Sequence, residues 1–234
     1  MSSSNFDHNE VNLFARSADA WWDPNGPHKV LHKINPIRLS FIQKNVTVAQ
    51  KKCIDIGCGG GLVAEGLAAL NASVTAIDMD EVAVEIARKH ANENFKTIHY
   101  QVATAEHMAS QMAEEFDVLT CLEMLEHVPN PVSVVEACAK LVKPNGIIIF
   151  STINRNPIAY LGAIIGAEYL LNLVPKGTHQ YQRFIKPSEL FRWANDSQLE
   201  LIEQKGIHYN PITQSVKLSQ NLTLNYIAAY RKLV

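Results

Sequence analysis

Short runs of nearly unbroken apolar residues alternate along this chain with stretches in which apolar positions recur every three or four residues. The runs at 52–56, 73–77, 97–102, 116–121 and 146–151 have strand length. Between them, 62–70, 82–92 and 131–141 carry the helical period, the last with Pro131 at its start. Strands that are apolar on both faces and alternate with helices predict a parallel sheet covered on both sides. The alternation breaks at Asn154. Residues 157–174 are apolar almost all round, interrupted by Glu168 and Asn172. A helix over 186–195 follows, then strands over 199–209 and 222–230 with no helical pattern between them, which suggests an antiparallel end to the sheet. Upstream, Val11, Phe14, Ala18 and Trp21 or Trp22 fall at helical spacing over 9–22, and Asp23-Pro24-Asn25-Gly26-Pro27 ends that pattern. A shorter helix is expected over 36–44. No linker rich in Gly, Ser or Pro divides the chain, so residues 1–234 read as one domain. Residues 1–50 would form a helical cap and 154–186 an insertion.

Composition narrows the function classes. The net charge of −2 gives a nucleic-acid partner little support. Charged residues make up 19%, below the usual quarter, which hints at some apolar surface. Cys53, Cys58, Cys121 and Cys138 include no C-x-x-C pair and read as buried free thiols of a reducing compartment. The N-terminus lacks a basic stretch followed by an apolar one, and no run reaches the ~18 residues of a spanning helix. A cytoplasmic protein is expected.

Chemistry concentrates at the ends of the strands. After the first comes Asp55-Ile56-Gly57-Cys58-Gly59-Gly60-Gly61. Glycines let backbone turn sharply and approach a ligand, and open α/β sheets bind ligands at that edge. A dinucleotide fingerprint would need a glycine where Leu62 stands, which argues against a nicotinamide-dependent oxidoreductase. Asp78, 21 residues past Gly57, ends the second strand. That is the place of an acid that binds a ribose hydroxyl pair; the plain alternative is a strand-terminal or helix-capping aspartate. The fourth strand runs into Glu123, Glu126 and His127. On a helical turn the two glutamates would share a face. Carboxylates plus one imidazole suit a divalent ion such as magnesium, His127 alone suits a general base, and a loop-shaping role for Glu126 and His127 is the third reading.

The segment 54–61 and Ile77-Asp78 resemble the first two motifs of the class I S-adenosylmethionine methyltransferases. The resemblance implies a Rossmann-like α/β fold: a seven-stranded, mostly parallel sheet with an antiparallel last strand and helices on both faces. It places Gly57 and Gly59 near the methionine part of the cofactor S-adenosylmethionine, with Asp55 supporting the loop or the amino group. Trp21-Trp22-Asp23, Asn35-Pro36-Ile37-Arg38, the stretch 123–129, 151–155, 166–169, 174–179 and His208-Tyr209-Asn210-Pro211 together resemble the ubiquinone-biosynthesis O-methyltransferases over nearly the whole chain. That implies O-methylation of polyprenyl catechol and quinol intermediates, with Arg38, Gly57, Asp78 and Leu122 contacting the cofactor. It also implies the other enzymes of that pathway as partners. Catalysis would fall to His127 and Glu126, and a magnesium ion, if bound, to Glu123, Glu126 and His127. Since a polyprenyl tail is insoluble, 158–174 is expected to meet the inner membrane peripherally through Leu161, Ile164, Ile165 and Leu171, with Lys176, His179, Arg183 and Lys186 facing headgroups; a lid over the site is the alternative. Two rival functions remain: methylation of another small phenol, and a non-catalytic membrane-recruited scaffold.

Overall fold

The computed structural model describes residues 5–7, 20–94, 96–160 and 181–234. Eight strands form one sheet in the order β3-β2-β1-β4-β5-β8-β6-β7. They are β1 (Lys52–Ile56), β2 (Ser73–Asp78), β3 (Ile98–Val102), β4 (Phe116–Leu122), β5 (Val142–Ile153), β6 (Leu199–Tyr209), β7 (Val216–Ser219) and β8 (Asn225–Lys232). The first five are parallel. The last strand, β8, runs antiparallel between β5 and β6. The eighth strand, beyond the seven expected, is β7, four residues paired to the outer edge of β6.

Both faces of the sheet are covered, as the apolar runs require. Ile148 and Phe150 of β5 point into a core with Ile54, Leu119 and Tyr226, under α4 (Ala105–Gln111), α5 (Pro131–Leu141) and α6 (Pro187–Asp196). Their neighbours Ile147 and Ile149 point the other way, into a core with Val118 and Ile227 under α1 (Lys29–Asn45), α2 (Leu62–Ala69) and α3 (Glu81–Glu93). All four cysteines are buried free thiols, as expected of apolar runs. Helix α1 begins at Lys29 and carries Pro36 inside it, rather than starting at the proline. Its Ile34, Phe41 and Ile42 are buried, so packing holds the helix across the residue that cannot donate. The expected helix over 9–22 lies mostly outside the described residues; Trp21 and Trp22 stand in a turn.

The strand order reverses between β1 and β4, and the carboxyl ends of these two strands diverge there. In an open α/β sheet such a crevice is the place for a ligand. Among the described residues no helix is long and apolar enough to cross a membrane.

Ile54 is fully buried at the centre of the sheet. Ile54→Ala is expected to lower stability by about 2–5 kcal/mol, read as a shift of the urea midpoint at unchanged slope.

Candidate active site

The loop after β1 folds back on the end of β2. The Gly57 and Cys58 amides donate to the Ile77 carbonyl at 2.9 and 3.0 Å. Gly57, Gly59 and Gly61 have φ of 72°, 50° and 91°. A side chain would be strained at each and would also collide. A Cβ on Gly57 would stand 2.5 Å from Met124, and one on Gly59 2.3 Å from the Trp21 ring. The glycines therefore admit Met124 and Trp21 against bare backbone.

Asp78 ties this loop to the strand beside it. Its Oδ2 accepts from the Gly59 amide at 2.8 Å and its Oδ1 from the Asp80 amide at 2.9 Å. Capping of α3 falls to Asp80 instead, which accepts from Val82 and Ala83. The plain reading of Asp78 as a helix cap is thus set aside. Buried Asp55 lies under the loop and accepts from the Thr120 hydroxyl at 2.6 Å. Its second oxygen has no hydrogen-bond partner. Burial pushes the Asp55 carboxyl up to about 7, against the Thr120 hydrogen bond, and the charge of Asp78 adds to the rise. Burial likewise raises Asp78.

On the far side of the crevice, β4 ends at Leu122 and the chain turns sharply. Glu123 sits in the left-handed region at φ 54°. Its Oε1 accepts from Ser151 Oγ at 2.5 Å and lies 3.0 Å from Arg38 Nη2; its Oε2 accepts from Asn225 Nδ2 at 2.6 Å. A tight 3-10 turn, Leu125–His127, follows. It buries Glu126, whose Oε2 accepts from Thr152 Oγ1 at 2.8 Å while Oε1 has no hydrogen-bond partner. Burial, then the neighbouring charge of Glu123, raises Glu126 above the ordinary carboxylate range; His127 opposes this.

One cleft joins these parts. Its walls include Gly57, Gly59, Asp78, Glu123 and His127, together with Met79, Asp80, Ala103 to Glu106, Met124 and Val128. Its volume, including the open mouth, is about 860 Å³. Arg38, Leu122 and Glu126 do not line it. Leu122 ends β4 nearly buried, Arg38 reaches the wall through Glu123, and Glu126 lies behind it. Arg38 is 4% exposed, so its ion pair with Glu123 is an internal one.

Among the described residues no three His, Cys, Asp or Glu side chains are grouped to hold a metal ion. Glu123 lies before the 3-10 turn, in a left-handed conformation, so the helical spacing that would align it with Glu126 does not arise. Its two oxygens are committed to Arg38, Ser151 and Asn225.

The sequence reading missed the N-terminal lining. Asn5, Phe6, Asp7 and Trp21 form part of the cleft wall. Asn5 Nδ2 donates to Glu106 Oε1 at 2.7 Å and to the Asn130 carbonyl at 2.8 Å. Asp7 pairs with Arg183 at 2.8 Å. Trp21 stacks on His28, and Trp22 stacks on His90 with its ring nitrogen donating to the Gly60 carbonyl at 3.0 Å. Only the paired tryptophans carried a signal in the sequence. The expected membrane contacts Leu161, Ile164, Ile165 and Leu171, with Lys176 and His179, lie outside the described residues. Just before them, Ile158 is 60% exposed.

A nucleoside ligand with a charged tail fits this donor set. Bare glycine backbone, a half-buried acid at the end of β2 and an internal guanidinium with an unpaired Nε line or back one crevice.

Comparison with known proteins agrees with this arrangement. A family model described as a methyltransferase domain matches residues 54–150. The ubiquinone biosynthesis O-methyltransferase of Stutzerimonas stutzeri is 52% identical over 96% of this chain and 97% of its own. That of Methylococcus capsulatus is 48% identical over 99% and 98%. Among solved structures, magnesium protoporphyrin IX methyltransferase from Synechocystis with bound S-adenosylhomocysteine superposes with a TM-score of 0.71 over 97% of each chain, at 16% identity. A methyltransferase of Thermotoga maritima gives 0.67 over 95% of this chain and 99% of its own, at 18% identity. At such identities the structures speak for the fold.

Two outcomes test the site. Gly59→Ala places a side chain at positive φ against Trp21; it is expected to weaken S-adenosylmethionine binding about tenfold or more by calorimetry, in keeping with ~1–3 kcal/mol of local strain. The folded chain holds the Asp55 proton more tightly than the unfolded chain does. The stability this group contributes is therefore full below the ordinary carboxylate range and is lost as pH rises from roughly 4 through about 7. Asp55→Asn should flatten that part of the melting-temperature profile between pH 5 and 8, measured by calorimetry without ligand.

Proposed function

The chain belongs to the ubiquinone biosynthesis O-methyltransferase family, and on that premise we propose that it methylates phenolic oxygens of polyprenylated catechol and quinol intermediates at a membrane surface. The single observation that carries the reading is the near-half identity to those enzymes along almost the whole chain. The cleft supports it, because the glycine loop, Asp78 and His127 line it together. S-adenosylmethionine, when bound, supplies an electrophilic methyl group on a sulfonium sulfur, which a phenolate oxygen takes.

The roles of the residues follow from their places. Gly57 and Gly59 offer bare backbone to the methionine part. Asp78 keeps free lone pairs for the ribose hydroxyls, since each oxygen accepts one backbone amide. Arg38 and Leu122 stand behind the cleft wall, and Arg38 would act on the methionine carboxylate from behind Glu123, which it holds. A phenol has pKa near 10, so its proton must be removed as the oxygen reacts. His127 lines the cleft and accepts that proton. Glu126, buried behind it, holds the turn and biases the imidazole. The rest of the catalytic effect is positioning in a partly dry cleft. Residues 158–174 and the basic positions after them bring the enzyme to the lipid in which the tail dissolves, at the cytoplasmic face of the inner membrane, where the other enzymes of the pathway would meet it.

The test is transfer of labelled methyl from S-adenosylmethionine to a short-tailed prenyl catechol. His127→Ala is expected to lower kcat about 100-fold or more while cofactor affinity stays within about twofold. Glu126→Ala, assayed with and without magnesium, separates the two readings of the turn: a loss that magnesium does not modulate assigns Glu126 to positioning, and a loss tied to magnesium reinstates a metal. Parent protein that binds lipid but transfers no methyl group would leave the scaffold reading standing.

A further inference from the structure

A second cleft opens on the same edge of the sheet as the first. Asn154, Asn156, Pro157 and Ile158 form one wall, and Leu222 and Thr223 the other. By the same measure as the first cleft, its volume is about 750 Å³. Of its lining only Ile158 has a role above, at the start of the segment assigned to the membrane.

The lining is more apolar than its residue names suggest. Asn154 Nδ2 donates across the cleft to the Leu222 carbonyl at 2.8 Å, and Asn156 Nδ2 to the Thr223 carbonyl at 2.6 Å. Asn156 Oδ1 accepts from the Ala159 amide at 2.9 Å. The Thr223 hydroxyl donates to Asn221 Oδ1. These polar groups are satisfied by the protein itself, and the same bonds stitch the two walls together. What remains for a ligand is the side of Pro157, the half-buried Leu222 and the 60%-exposed Ile158.

Asn225 ties the two linings together. Its amide donates to Glu123, a wall of the first cleft. Thr223, a wall of the second, lies two residues earlier, at most about 7 Å of chain away. Leu222 also packs against the core that contains Leu125 and Val128, on either side of His127. The two linings are thus neighbours, joined by one hydrogen bond and two residues of chain.

We propose that this second cleft seats the first isoprene units of the substrate tail, so that recognition of the tail begins in the protein and not only in the lipid. The inference rests on the polyprenyl-phenol reading. An open, mostly apolar groove whose amide donors are already paired loses little by taking a hydrocarbon and gains by burying it. Its ring-proximal position makes it a contact that every tail length shares.

The test compares three soluble catechols, without lipid or detergent: one with no tail, one with a single dimethylallyl unit and one with a geranyl unit. For the parent, kcat/KM is expected to rise roughly tenfold on adding the tail. Leu222→Ser, and Thr223→Trp as a variant that fills the groove, should reduce that gain to about threefold or less. Their kcat/KM for the tailless catechol should match the parent's, which also reports that they fold. A parent that does not distinguish the three catechols, or a tail advantage that survives in both variants, would overturn the groove alone. No turnover of any catechol by the parent would overturn the functional reading, and the groove with it.

Discussion

The carboxylate of Glu123 is the point at which the carboxyl edge of the sheet is closed. It takes Arg38 from α1, Ser151 from β5 and Asn225 from β8, and its own amide donates to the Ser151 carbonyl at 2.9 Å. These partners come from positions far apart in the chain. A left-handed backbone at a residue with a side chain costs on the order of 1–3 kcal/mol. Four polar contacts in a largely dry setting offset that cost and fix the direction in which the following turn leaves β4. The placing of Glu126 behind the wall and of His127 in it depends on this turn. Without a carboxylate at 123, Arg38 would be an internal cation with no counter-charge, a far larger penalty than the loss of one contact.

The opposite wall works by removal of bulk. The glycines of the loop after β1 leave room for Trp21 and Met124, and Asp78 holds the loop through the Gly59 amide. The result is a crevice whose one side is bare backbone and whose other side is a turn of charged and polar side chains. Both sides were made at a strand end, where a parallel sheet leaves its termini divergent, and both owe their rigidity to strands buried on two faces.

Much of this was legible in the chain because it is local. The strand β1, the glycines after it and Asp78 lie within about one β-α-β unit, and spacing alone places them at one edge. The alternation of runs and helical periods fixed the layers. Helix α4 escaped because it has only seven residues, of which Ala105 and Met108 alone are buried, too few to show a period. Strand β7 is four residues on a half-exposed edge. Asn5 contributes to the cleft through hydrogen bonds that span more than a hundred positions, and no pattern of hydrophobicity encodes such a contact. The helical register that would align Glu123 with Glu126 does not arise, because of one backbone angle. Spacing of three assumes a helix already under way, whereas here the turn starts only at Leu125.

The sheet is not built in the order in which it is read. β8 is the last of the eight strands along the chain, yet it fills an interior place, hydrogen-bonded to β5 on one side and β6 on the other. While the polypeptide is still emerging from the ribosome, β1 to β5 can pair, but β5 then offers an open edge rich in isoleucine, and such an edge invites pairing with other chains. Asn225, the first residue of β8, is also a ligand of Glu123. Translation of this stretch therefore has to finish before the turn after Glu123 is fully held, and a nascent chain that stops short of it lacks both a sealed sheet and a closed cleft edge.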